Sequence, residues 1–125
     1  MPRWVQVRNR SRGDALVVRA RWCDSFACRL RGLALRRSLP EGEGLLLVES
    51  RASRSNAAIH MGFVFFPLGV AWIDAAGCVV GCRLALPWRL YVPAAPAQYT
   101  LEGCPSMLGA VAVGDRLEFV DEAVG

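Results

Sequence analysis

The sequence contains no lysine, so all 15 of its basic residues are arginine, and it has one histidine, His60. His60 is therefore the single side chain whose unperturbed pKa lies near neutrality. No P-loop, no GxGxxG following a strand, no HExxH and no GxSxG occurs, so no motif names a reaction. Residues 1–12 carry four Arg and no apolar centre, which is not the pattern of an export signal. The longest uncharged stretch, Ser55–Ile73, approaches the length that spans a bilayer. It is interrupted by Asn56, His60, Gly62, Pro67 and Gly69, and reads as two buried strands with a break. Cysteine occurs five times, at Cys23, Cys28, Cys78, Cys82 and Cys104, and an odd count argues against a closed disulfide framework. Together these absences point to a reducing, cytoplasmic setting.

What remains is rich in core material. The 125 residues suit one domain, expected to span 1–125. With 54% hydrophobic residues the chain is not disordered, and some apolar surface is expected to be covered by a homodimer. Charge is uneven. Residues 1–37 hold 10 Arg and 2 acids, whereas residues 38–125 hold 5 Arg and 9 acids. A basic patch in the first third is expected, and Arg suits planar pairing with phosphate or carboxylate. A solvated face is the simpler reading, since no nucleic-acid motif accompanies these residues.

Trp4–Arg8 alternates as a half-buried strand does, Asn9–Asp14 is turn chemistry, and Ala15–Val18 resumes the strand, giving an opening hairpin. Asp24 is placed to cap a helix over residues 25–35, where Phe26, Ala27, Leu30 and Leu33 recur at helical spacing. Leu39–Gly44 reads as a loop, Leu45–Val48 as a core strand and Ser50–Asn56 as an exposed loop. Short strands follow at Ala57–Met61, Val64–Phe66, Val70–Asp74, Cys78–Leu84, Gln98–Glu102 and Arg116–Val120. Turns fall at Ala75–Gly77 and Gly114–Asp115, and one helical turn at Pro105–Leu108. Many short strands with a single helix predict a mainly β chain, an antiparallel sandwich or jelly-roll-like barrel.

Arg31-Gly32-Leu33, Arg36–Pro40, Gly44-Leu45-Leu46, Ile59-His60-Met61, Phe66-Pro67-Leu68, Trp72-Ile73-Asp74, Pro87-Trp88, Ala97–Glu102 and Gly114–Phe119 occur in an order and spacing that resembles the "domain of unknown function 192" family of bacterial and archaeal proteins. The likeness covers about residues 14–120. It implies a single mainly β domain of jelly-roll type with one helix packed on it, and it implies no activity. Two positions depart from the family's usual pattern. Gly62 and Phe63 stand where a basic or amide residue is common, and Gly69 stands where Asp usually follows the Pro-Leu pair.

No residue is assigned a catalytic role, and no cofactor or metal is expected. Cys78 and Cys82 are four apart on a predicted strand, roughly 13 Å, too far for one zinc ion or a disulfide. Cys23 and Cys28 straddle a helix start five apart and do not share a helix face, so all five thiols are expected to be free. Asp74 and Asp115 belong to turns. Binding is the expected role. The ligand would be small and polar or anionic, held by His60 and Phe66, by the exposed Trp88, Arg89 and Tyr91, and by Arg31 and Arg36 at the helix end. The alternative is a module whose Arg-rich first third docks a protein or a nucleic acid, with an enzyme built on His60 as a remote third. No membrane partner is expected.

Overall fold

The computed structural model describes residues 2–32, 38–61 and 64–122, with the side chains of Leu30, Arg31 and His60 outside that description. It is mainly β, as expected. The opening hairpin joins β1 (Trp4–Asn9) to β2 (Ala15–Cys23) through a short 3-10 turn that Asn9 caps and Gly13 closes at φ 64°. Helix α1 (Phe26–Arg31) follows, then β3 (Glu43–Ser53), β4 (Ile59–His60), β5 (Leu68–Ile73), β6 (Val79–Ala85), β7 (Leu90–Tyr91), β8 (Ala97–Gly103) and β9 (Leu117–Asp121). Seven strands form one sheet in the order β6-β5-β8-β3-β2-β1-β9, and β4 pairs with β7 in a separate ribbon.

One pair breaks the expected antiparallel pattern, because β2 and β3 run parallel. Parallel neighbours need a crossover, usually helical. The segment from Asp24 to Gly42 is that crossover, with α1 inside it. The cap of α1 is Ser25, whose Oγ accepts from the Cys28 N–H at 3.1 Å. Asp24, expected in that role, instead accepts from the Trp22 indole at 3.2 Å. The helix as described ends at Arg31, where Gly32 turns away at φ 51°. Residues 33–35, the rest of the expected helix, lie outside the described residues. Strand β3 also runs through residues 50–53, expected as loop, because its far end pairs Ser53 with Ala97 beyond a register shift. Residues 64–66 form no strand.

The sheet curls until its edges meet. Cys78 bridges Arg116, the Val79 N–H donates to Asp115 O at 2.8 Å, and the Leu117 N–H donates to Gly77 O at 2.8 Å. The concave side holds Val5, Val7, Val18, Ala20, Leu46, Leu101 and Ile73, plugged by Met107 from a 3-10 turn at Pro105–Ala110. The other face buries Leu45, Val70, Trp72, Ile59, Met61 and Tyr91 beneath α1 and the β4–β7 ribbon. Strand β5 lies between both layers and is buried at all six positions, which explains its unbroken apolar run. The Trp72 indole donates to Ala57 O at 2.8 Å and pins the covering segment to the sheet.

Cys23 and Cys28 are joined by a disulfide, with Cα atoms 5.7 Å apart. This corrects the expectation of five free thiols. The two never had to share a helix face, because Cys23 ends β2 and the chain doubles back at Ser25 before Cys28 enters the first helical turn. Cys78, Cys82 and Cys104 are free and partly exposed.

Candidate functional site

Strand registry assembles an unusual transverse row. Trp4 pairs with Arg21, Arg21 with Leu45, Leu45 with Glu102, and Glu102 with Val70, across five consecutive strands. Residues directly opposite each other project from the same face. One face therefore carries an arginine and a carboxyl flanking a leucine, with backbones roughly 10 Å apart at the usual strand spacing.

Glu102 is 5% exposed, and its Oε1 has no hydrogen-bond partner among the described residues. Burial disfavours the charged form and pushes the carboxyl pKa up to about 7. A buried polar atom without a partner costs on the order of 1–3 kcal/mol, so it calls for a reason. Oε1 lies under the end of α1. A Cβ built on Gly32 would stand 3.7 Å from it, while the Gly32 N–H closes the helix onto Cys28 O at 2.9 Å. Gly32, Cys28, Leu45, Arg21, Trp4 and Pro40 line a cavity of about 510 Å³. Arg21 is exposed and has no hydrogen-bond or ion-pair partner among the described residues. The cavity is thus lined by the Arg21 guanidinium and the Trp4 indole, and the buried Glu102 carboxyl lies behind Gly32 in its wall. Glu102 stands in a strand that the sequence marks only by alternation, and nothing local distinguishes it from a solvent-facing acid.

The residues expected at the site fall elsewhere. Pairing of β4 with β7 sets His60 opposite Leu90 and Ile59 opposite Tyr91, and the Trp88 N–H donates to Met61 O at 2.8 Å. The fold therefore brings the backbones of His60, Trp88, Arg89 and Tyr91 together. The His60 side chain lies outside the description. Tyr91 turns inward, and its hydroxyl accepts from the Leu86 N–H at 2.9 Å. Phe66 is half-buried against the core, and its neighbour Phe65 makes the edge-to-face contact with Trp88 at 6.1 Å. Trp88 is 61% exposed at φ 65°, a backbone conformation rare for a bulky residue. Arg31 ends α1 with its side chain outside the description, and Arg36 lies outside the described residues.

Five of the ten arginines in the expected basic patch are paired with acids. Strand β9 lies beside β1, so acids from the end of the chain meet arginines from its start: Arg3 with Asp121 at 2.7 Å, Arg10 with Glu118 at 2.6 Å, Arg12 with Asp115 at 3.2 Å and Arg19 with Glu122 at 2.7 Å. Arg29 pairs with Glu49 at 3.4 Å. The Arg3 hydrogen bond lowers the Asp121 pKa, and the Asn9 amide does the same for Asp115. Asp74, expected in a turn, accepts from the Ala76 and Cys78 N–H groups. Gly69 is packed tightly, because a Cβ there would fall 2.8 Å from Cys104 O. Among the described residues, no helix is long and apolar enough to cross a membrane, and no three His, Cys, Asp or Glu side chains converge as metal ligands.

A family model, DUF192, described as "Uncharacterized ACR", matches residues 7–119. A UPF0127 protein of Thermococcus kodakarensis is 34% identical over 113 residues, covering 89% of this chain and 71% of that protein. A UPF0127 protein of Pyrococcus furiosus is also 34% identical over 113 residues, covering 89% and 95%. Two crystal structures share the fold. One, from Sinorhizobium meliloti and provisionally described as a transcription regulator, has a TM-score of 0.82 at 21% identity, covering 93% of each chain. The other, of a protein of unknown function from Novosphingobium aromaticivorans, has a TM-score of 0.78 at 19% identity, covering 92% of this chain and 84% of that one.

Proposed function

The chain belongs to the DUF192 family, whose description names no activity, and we propose from its own geometry that it is a binding module for a small polar ligand. The observation that carries this reading is the buried Glu102 carboxyl, whose Oε1 has no partner among the described residues and lies against Gly32 in the wall of a cavity lined by Arg21. The ligand presents an anionic group to Arg21 and a hydroxyl or amine to Glu102, whose backbone lies about 10 Å from that of Arg21 across Leu45. Amino acids, hydroxy acids and sugar phosphates have this chemistry. The setting is cytoplasmic, in keeping with three free thiols among five cysteines.

The test is a thermal-shift panel of those three classes at pH 8, together with native mass spectrometry of gently purified protein. A hit that raises Tm in the wild type and is lost in both Arg21→Ala and Glu102→Gln supports the reading. A protein-only mass with an unresponsive panel overturns it, as does a shift that survives both substitutions.

The exposed edge of Phe65, Trp88 and Leu90 favours a second role as the contact of a homodimer. Trp88→Ala is then expected to shift sedimentation from dimer toward monomer. Docking of nucleic acid on the Arg-rich first third has less support, since five of those arginines are already paired with acids.

A further inference from the structure

We propose that Cys23–Cys28 is a reversible redox couple that exchanges with small thiols of the glutathione type, with Cys28 as the sulfur attacked. Four observations converge on this pair. The two sulfurs differ in access: Cys23 is 1% exposed, whereas Cys28 is half-buried and lines the open cavity beneath α1. Approach from that cavity selects Cys28. The bond spans only five positions in sequence, and so short a loop gains the least chain-entropy stabilisation from a cross-link. The remaining cysteines are free thiols. In a reducing compartment, the setting proposed above and on which this observation rests, a disulfide is more often redox-active than structural. Finally, the bond joins two elements that are otherwise separately secured. Strand β2 is held by β1 and β3, whereas α1 is a six-residue helix held through its Ser25 cap and the Arg29–Glu49 pair.

The exchange balances as two displacements. A thiolate attacks Cys28 Sγ, the Cys23–Cys28 bond breaks, and Cys23 leaves as a thiolate that takes a proton from water. A second thiolate attacks the outer sulfur of the mixed disulfide and releases Cys28. Two thiols are oxidised to one disulfide, and two electrons pass to the protein pair. The reduced state unties α1 from the end of β2, loosening one wall of the cavity. This inference does not depend on the proposed ligand, because its readout is the thiol state alone.

The full chain is equilibrated without denaturant in a series of reduced and oxidised glutathione, quenched in acid, alkylated and mapped by mass spectrometry. The expected wild-type result is a rise from three to five alkylated cysteines across the series. Cys23→Ser is expected to carry a glutathione adduct on Cys28, whereas Cys28→Ser carries at least tenfold less on Cys23. Two wild-type results overturn the proposal: a pair that stays closed in excess reduced glutathione until the chain is denatured, or five free thiols in fully oxidised buffer. Equal adducts on Cys23 and Cys28 in the two variants overturn the assignment of Cys28.

Discussion

Glu102 occupies a position where a charge is disfavoured, and this ties the protein's stability to pH. Its folded pKa of about 7 lies above the ordinary carboxyl value of 4.5. Between those values the folded chain holds a proton that the unfolded chain has released. Stability from this group is therefore full below about pH 4.5, falls as pH rises toward 7, and is flat above it. A shift of that size corresponds to about 3 kcal/mol. Glu102→Gln keeps the shape and removes the titration. Urea denaturation at pH 5 and pH 8 is expected to show the wild type losing about 2–3 kcal/mol relative to the variant at the higher pH. Parallel behaviour of the two proteins would mean that Oε1 is solvated after all. Asp121 and Asp115 act in the opposite sense. Their pKa values are lowered by Arg3 and Asn9, so their contribution is present above the ordinary carboxylate range and is lost on acidification.

At the level of elements, the close approach of the chain at Gly69 decides how β5 can sit. Gly69 pairs with Gly103, which pairs with Gly44, so three strands carry glycine at one level beside Glu102. A Cβ at Gly69 would meet Cys104 O at 2.8 Å, and one at Gly44 would meet Glu102 O at 2.6 Å. Gly69→Ala is expected to lower stability by about 1–3 kcal/mol through overpacking, read as a drop in the urea midpoint. An unchanged midpoint would show that the Cys104 segment yields freely. Most of the strands, the hairpin turn at Asp74–Gly77, the turn at Gly114–Asp115 and the turn after Pro105 were legible, because each depends on local alternation or on turn chemistry, whereas the expected strand at Val64–Phe66 does not form. The parallel β2–β3 pair was not legible, because strand direction depends on where the crossover returns the chain. The Cys23–Cys28 bond was hidden for a related reason, since spacing along a helix says nothing about a strand end folded back onto that helix.

Across the whole molecule, the curl of the sheet recombines what the sequence separates. The arginine-rich start and the acid-rich end lie far apart along the chain, yet β1 and β9 are neighbours. Surface pairs of this kind contribute little individually, but they leave fewer free cations to displace counterions from nucleic acid. Association with a random DNA duplex is accordingly expected to be weaker than about 10⁻⁵ M near physiological salt, with a shallow salt dependence by fluorescence anisotropy. A tight complex with a steep dependence would restore the nucleic-acid reading.

The amino-acid order alone determined the mainly β class, most strand positions, the turns and the family likeness, because these rest on periodicity and on residues suited to particular backbone angles. The aromatic edge around Trp88 was also readable, since its prolines and rings mark an irregular exposed crossing. Only the tertiary structure decided which charges cancel, which cysteines join, and that Glu102, indistinguishable in sequence from a surface acid, is buried against Gly32 in the same transverse row as Leu45 and Arg21. Those outcomes depend on strand registry and sheet curvature, which bring distant residues together through contacts that no local pattern encodes.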